Sequence, residues 1–186
     1  MMPRYVALLR GINVGGRNKV AMADLRQVAA ELGYTNVSTY IQSGNLLFAA
    51  GSGDPAGLAA ALERRIAERL GVRPAVVVIP AADLAQVIAD NPFPDAGNPR
   101  LVHAVFRIDD LTEAGLAAVA EAASAARTSG SRDEAVVVGR TLYLHTPDGF
   151  GRSQLAAQLA GSPAQAGGTA RNWATVTRLM ALLTGE

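Results

Sequence analysis

The chain has no cysteine, only two histidines, one lysine among its 17 basic residues, and aromatic side chains at just 5% of its 186 positions. Without cysteine there can be no disulfide framework, no thiol nucleophile and no thiolate metal site. With only His103 and His145 to draw on, an imidazole-based zinc site is disfavoured too, and no cofactor or metal is implied. No uninterrupted apolar run reaches the ~18 residues of a membrane span. Met1-Met2-Pro3-Arg4-Tyr5 leads straight into an apolar strand without the pattern of a signal peptide. The expectation is a cytoplasmic protein with no membrane partner.

What is present is ample apolar material, 49% of residues at a mean hydropathy of +0.18, enough for a packed core in one domain or two small ones. The net charge of +1 makes the whole molecule no magnet for polyanions, but its distribution is uneven. Residues 1–23 hold Arg4, Arg10, Arg17 and Lys19 and no acid; residues 149–185 hold Arg152, Arg171 and Arg178 and no acid. The stretch between them carries 10 basic and 15 acidic residues. Should the two ends meet in the fold, they would make one positive patch. The competing reading is a scatter of solvated arginines.

Periodicity organises the chain into two similar halves. Arg4 to Leu9 reads as a buried strand, and Met22, Leu25, Val28, Ala29 and Leu32 recur at helical spacing up to Gly33. Val37, Thr39 and Ile41 alternate with polar neighbours before the turn-forming Ser43-Gly44-Asn45 and a second apolar run, a hairpin signal. Asp54-Pro55 is a cap and first-turn pair for a helix with Leu58, Leu62, Ile66 and Leu70 on one face, ending at Gly71, and Ala75 to Ile79 is the next strand. The order β-α-β-β-α-β predicts a ferredoxin-like α+β unit with an antiparallel sheet. Residues 81–99, a helix near 82–89 followed by Asn91-Pro92-Phe93-Pro94, read as connecting helix and linker between subdomains 1–80 and 100–186. The second half repeats the order loosely, with a strand at 101–108, a helix at 113–126 capped by Thr112 and a hairpin through Gly139-Arg140. Helices then take over, the last one started by Asn172.

The densest candidate site is Arg10-Gly11-Ile12-Asn13-Val14-Gly15-Gly16-Arg17-Asn18-Lys19, between a strand and a helix. Gly11, Gly15 and Gly16 allow sharp turns that aim backbone amides, with Asn13, at an anion, and Arg10, Arg17 and Lys19 supply charge. Its spacing is not that of a dinucleotide fingerprint, and no acidic residue sits about 20 positions on at the end of a second strand. Nor is it a Walker loop, since Lys19 is followed by Val20. A purely structural glycine turn is the alternative. Ser43 and Asn45 of the Gln42-Ser43-Gly44-Asn45 turn suit hydrogen bonding to a base edge or phosphate, although such residues also serve a turn's own backbone. Arg171 and Asn172 form a third candidate, an arginine beside the cap of the last helix, where Asn172 could equally act as a cap alone. His103 shares a strand face with Leu101, Val105 and Arg107, read here as the less covered face of its sheet. No Gly-x-Ser-x-Gly elbow occurs, and Asp109-Asp110 and Asp133-Glu134 receive no catalytic role.

Three segments together, Ala7-Leu8-Leu9-Arg10-Gly11-Ile12-Asn13-Val14-Gly15-Gly16, Thr39-Tyr40-Ile41-Gln42-Ser43-Gly44-Asn45 and Thr169-Ala170-Arg171-Asn172-Trp173-Ala174-Thr175-Val176, resemble the DUF1697 family of bacterial proteins of unknown function. The resemblance spans essentially the whole chain. It implies two α+β subdomains of ferredoxin-like character and carries no catalytic residues with it. The functional expectation is binding of a phosphate-bearing ligand, a nucleotide or nucleic acid, at the basic glycine loop. Two alternatives stand beside it. One is an enzyme using that loop as an oxyanion or phosphate cradle, with Ser43, Asn45 or His103 in support; the other is a protein-interaction module with no small ligand. The sequence carries no signal for an oligomeric state.

Overall fold

The computed structural model describes residues 2–51 and 53–185, so Met1, Ser52 and Glu186 lie outside the described residues. In chain order, β1 (Arg4–Leu9), α1 (Met22–Glu31), β2 (Thr35–Tyr40), β3 (Asn45–Ala49), α2 (Pro55–Leu70) and β4 (Val76–Pro80) build a four-stranded antiparallel sheet of order β2-β3-β1-β4. After α3 (Ala81–Ala89), the elements β5 (Val102–Phe106), α4 (Glu113–Thr128), β6 (Glu134–Val138), β7 (Thr141–His145), α5 (Gln154–Ala160) and β8 (Thr169–Asn172) repeat that plan as β6-β7-β5-β8, again antiparallel. Helix α6 (Trp173–Thr184) follows. The fold is therefore α+β with two ferredoxin-like sheets and a C-terminal helix. It divides into two compact units, Met1–Gln86 with Arg178–Glu186, and Val87–Thr177.

Strand β8 corrects the sequence reading, which let helices run on after β7. Thr169–Asn172 pairs with β5, from His103↔Asn172 to Phe106↔Thr169. Four residues of mixed polarity show no apolar alternation, and their pairing is supplied by a strand more than 60 positions away, so local pattern had nothing to report.

Local chemistry sets the helix limits. Asp54 Oδ1 accepts from Ala56 N (2.8 Å) and Gly57 N (3.1 Å), Pro55 follows it, and Gly71 ends α2 at φ +70°. Thr112 Oγ1 accepts from Gly115 N to open α4. In the first unit Leu25, Val28, Leu62 and Ile66 pack on Ala7, Leu9, Leu46, Phe48, Val76 and Val78, the sheet face turned to α1 and α2. In the second, Val119, Ala122, Leu155 and Leu159 pack on Val105, Leu142 and Leu144. Truncating one of the fully buried leucines to alanine costs about 2–5 kcal/mol. Arg4 Nη2 donates to Leu182 O (3.2 Å), tying β1 to the end of α6 within the first unit.

Candidate functional site: a basic hairpin at one end of the first sheet

The 12 residues joining β1 to α1, positions 10–21, begin as an extension of the sheet, with Arg10 N donating to Ala75 O at 2.9 Å. The chain then folds on itself as a miniature hairpin. Asn13 N donates to Asn18 O (3.1 Å), Arg17 N donates to Val14 O (3.0 Å), and Val14 and Arg17 form an antiparallel bridge. Gly15 (φ +58°) and Gly16 (φ +76°) fill the two central positions, both left-handed as a type I′ turn requires. The glycines thus serve a turn, and the amides of Asn13 and Arg17 are spent inside it. Arg10, Arg17 and Lys19 are exposed, and none of them enters an ion pair among the described residues.

The Asn13 side chain braces the hairpin. Its Nδ2 donates to Val20 O (2.9 Å) and to Gln42 O (2.8 Å), while its Oδ1 accepts from Val20 N (2.9 Å). Asn18 Nδ2 donates to Gly11 O (3.0 Å). Both asparagines sit at positive φ, which asparagine tolerates better than most residues. The contact to Gln42 joins the hairpin to the β2–β3 turn. That turn is built in its own right: buried Asn45 donates through Nδ2 to Tyr40 O (3.0 Å) and Ser43 Oγ (2.9 Å), and Leu9 N donates to Gly44 O (2.8 Å). Gly44 (φ +78°) has no room for a side chain, since a Cβ there would lie 2.8 Å from Ile12 Cδ1 and 2.9 Å from Leu9 Cβ. Arg10, Gly11, Asn13, Gly15, Gly16, Arg17, Lys19, Ser43 and Asn45 are thereby brought together at one end of one sheet.

Arg171 and Asn172 belong to the other unit. Arg171, on β8, is only 8% exposed; its Nη1 donates to Thr169 Oγ1 and Ala170 O, both at 2.8 Å, and burial lowers its pKa to about 10. Asn172 Oδ1 accepts from Thr175 N (2.9 Å), the capping bond for α6. Trp173 is half-buried, its ring 6.2 Å from that of Tyr143.

His103 corrects its sequence reading. It lies on the helix-covered face with Val105, its ring 4.0 Å from Phe150, and burial lowers its pKa to about 4. Both faces of β5 are largely buried, so alternation could not tell one from the other. Ser153 Oγ donates to Asp133 Oδ2 (2.7 Å) and accepts from Ala156 N (2.9 Å), which is helix capping with no imidazole in the arrangement. Cavities of about 680 Å³, along α2 by Arg64 and Arg73, and about 310 Å³, by Asp133 and Asp148, contain no residue of the hairpin. Sequence reasoning passed over Val14 and Ile41, which the structure leaves 67% and 51% exposed on the two joined loops. The Val14-Gly15-Gly16-Arg17 pattern was the available signal for the hairpin.

Fold and loops define a class: tandem ferredoxin-like α+β proteins whose first unit carries a basic hairpin beside its β2–β3 turn. The chain belongs to the DUF1697 family, described as proteins of unknown function, whose model matches residues 2–143. Its structure is similar to that of the conserved bacterial protein SP0830 from Streptococcus pneumoniae, at 24% identity and TM-score 0.69, covering 98% of this chain and 99% of that one. At that identity the likeness speaks for the fold. No curated protein matches the chain.

Proposed function

We propose that the protein binds nucleic acid by its phosphate backbone, through the hairpin cations Arg10, Arg17 and Lys19. The observation that carries this reading is the exposure of three cations without ion-pair partners, among the described residues, on an internally braced loop. Small-ligand sites are concave and offer converging donors. Here the turn uses two of its own amides, and the charges stand outward, which suits an extended polyanion better than a single nucleotide. The second unit offers a contrast that supports the same reading. Its β5–α4 connection is six residues long, positions 107–112, and carries Asp109 and Asp110. The fold is thus satisfied by a loop half the length, and the doubled basic loop is free to serve another purpose.

The test is fluorescence anisotropy of a labelled oligonucleotide titrated with full-length protein between about 50 and 200 mM salt. Wild type is expected to lose affinity with a log–log slope that three phosphate contacts account for, about −2 to −3. Arg10→Ala/Arg17→Ala/Lys19→Ala should remove that slope while leaving the thermal midpoint close to wild type. Binding that saturates with a mononucleotide and ignores salt, or a triple variant indistinguishable from wild type, overturns the proposal.

A further inference from the structure

We infer that the nucleic acid is single-stranded and that its unpaired bases rest on Val14 and Ile41; this rests on the nucleic-acid reading above. Val14 and Ile41 are two of five large apolar side chains left exposed among the described residues. They stand on the two loops that Asn13 joins: Val14 follows Asn13, and Ile41 precedes Gln42, whose carbonyl receives the Asn13 amide at 2.8 Å. The three cations lie on the same β1–α1 connection as Val14. Two joined loops therefore carry exposed positive charge and exposed apolar side chains.

Ile41 sharpens the point. Its φ is +50°, a region that β-branched residues avoid because Cβ crowds the following carbonyl. Glycine or asparagine would occupy that position with less strain. The chain instead holds isoleucine there, half out in water, where neither backbone nor solvent favours it, and buried Asn45 fixes the turn by its bond to Tyr40 O. Strain of this kind, maintained by surrounding bonds, is a mark of sites that serve a ligand. A duplex presents phosphates but hides its base faces within the stack. A single strand presents both, and such strands are held by base faces stacked on aromatic side chains next to backbone neutralisation; Val14 and Ile41 offer those faces aliphatic contact in place of a ring. Apolar contact at Val14 and Ile41 complements that ligand; the cations alone would not distinguish it from duplex.

The experiment compares a labelled single strand of about 12 nucleotides, within the span such sites cover, with the blunt duplex of the same sequence at one salt concentration. Wild type is expected to favour the single strand by about tenfold, and Val14→Ser/Ile41→Gly to bring that ratio within about twofold with the salt slope unchanged. Ile41→Gly alone checks the fold, because glycine accepts φ +50°: its thermal midpoint should equal or exceed that of wild type while the preference falls. Equal wild-type affinity for both forms, or a preference that survives in the double variant, overturns this inference and leaves the phosphate-binding reading standing. Absence of binding to either form overturns both.

Discussion

The two halves of this chain share one topology and differ at the same end of their sheets. In the first, the β1–α1 and β2–β3 connections are 12 and four residues long, and Arg10, Arg17 and Lys19 stand exposed, outside any ion pair among the described residues. In the second, the equivalent connections are six and two residues long, and the arginines there close the structure. Arg107 donates to Ala164 O (2.7 Å), Pro163 O (3.5 Å) and Asp109 O (3.3 Å), and Arg140 donates to Ile108 O (2.8 Å). The same residue type at the same place in the fold binds the chain's own carbonyls in one copy and is left outward in the other. A cation near a strand end is thus informative only once its acceptors are accounted for.

The widest separation between the halves should come from the turn glycines. Gly44→Ala is expected to lose about 2–5 kcal/mol in urea unfolding, because the new Cβ meets Ile12 and Leu9 at a left-handed backbone. Gly139→Ala, at φ +56° with open space around it, should cost about 1 kcal/mol. Equal losses would break the contrast between a braced turn and a plain one. The arginines should separate next, and in opposite senses. Arg107→Ala is expected to lower stability by about 1–2 kcal/mol and leave oligonucleotide affinity unchanged. Arg17→Ala should alter stability by less than about 0.5 kcal/mol and weaken binding.

The remaining contrast concerns acid. His103 titrates near 4 in the folded chain because burial disfavours its charged form, against 6.5 when exposed. Between those values the unfolded chain binds the proton and the folded one does not, so stability rises with pH across the window. This contribution is complete above pH 6.5 and is lost as pH falls toward 4. Both histidines lie in the second unit. His103→Phe should therefore flatten the thermal midpoint of that unit between pH 4 and 6.5, read by differential scanning calorimetry; an unchanged slope would show that His103 does not set it.

The sequence disclosed these halves unevenly, for identifiable reasons. Seven strands announced themselves by apolar runs or alternation, and Asp54, Thr112, Gly71 and Asn172 marked helix limits by chemistry that acts within four residues. Strand β8 was silent because its partner is distant in the chain. The anion cradle expected of Gly11, Gly15 and Gly16 was ambiguous at source, since glycine serves a nest and a type I′ turn equally. Flanking Val14 and Arg17, placed to pair across two residues, was the part that distinguished them. That Arg171 turns inward while Arg17 turns outward had no local sign. The difference lies in β8 joining a sheet and the hairpin standing outside one.

The Asn13 clamp has a further consequence, for the thermodynamics and timing of encounter. A loop held at both ends by 2.8–2.9 Å bonds to Gln42 and Val20 arrives already ordered, so a ligand docking there need not fold it. Association should then lack the large negative heat-capacity change of coupled folding and binding. With little ordering entropy to overcome, the on-rate is left to diffusion and charge steering, and discrimination between ligands falls to how long each one stays.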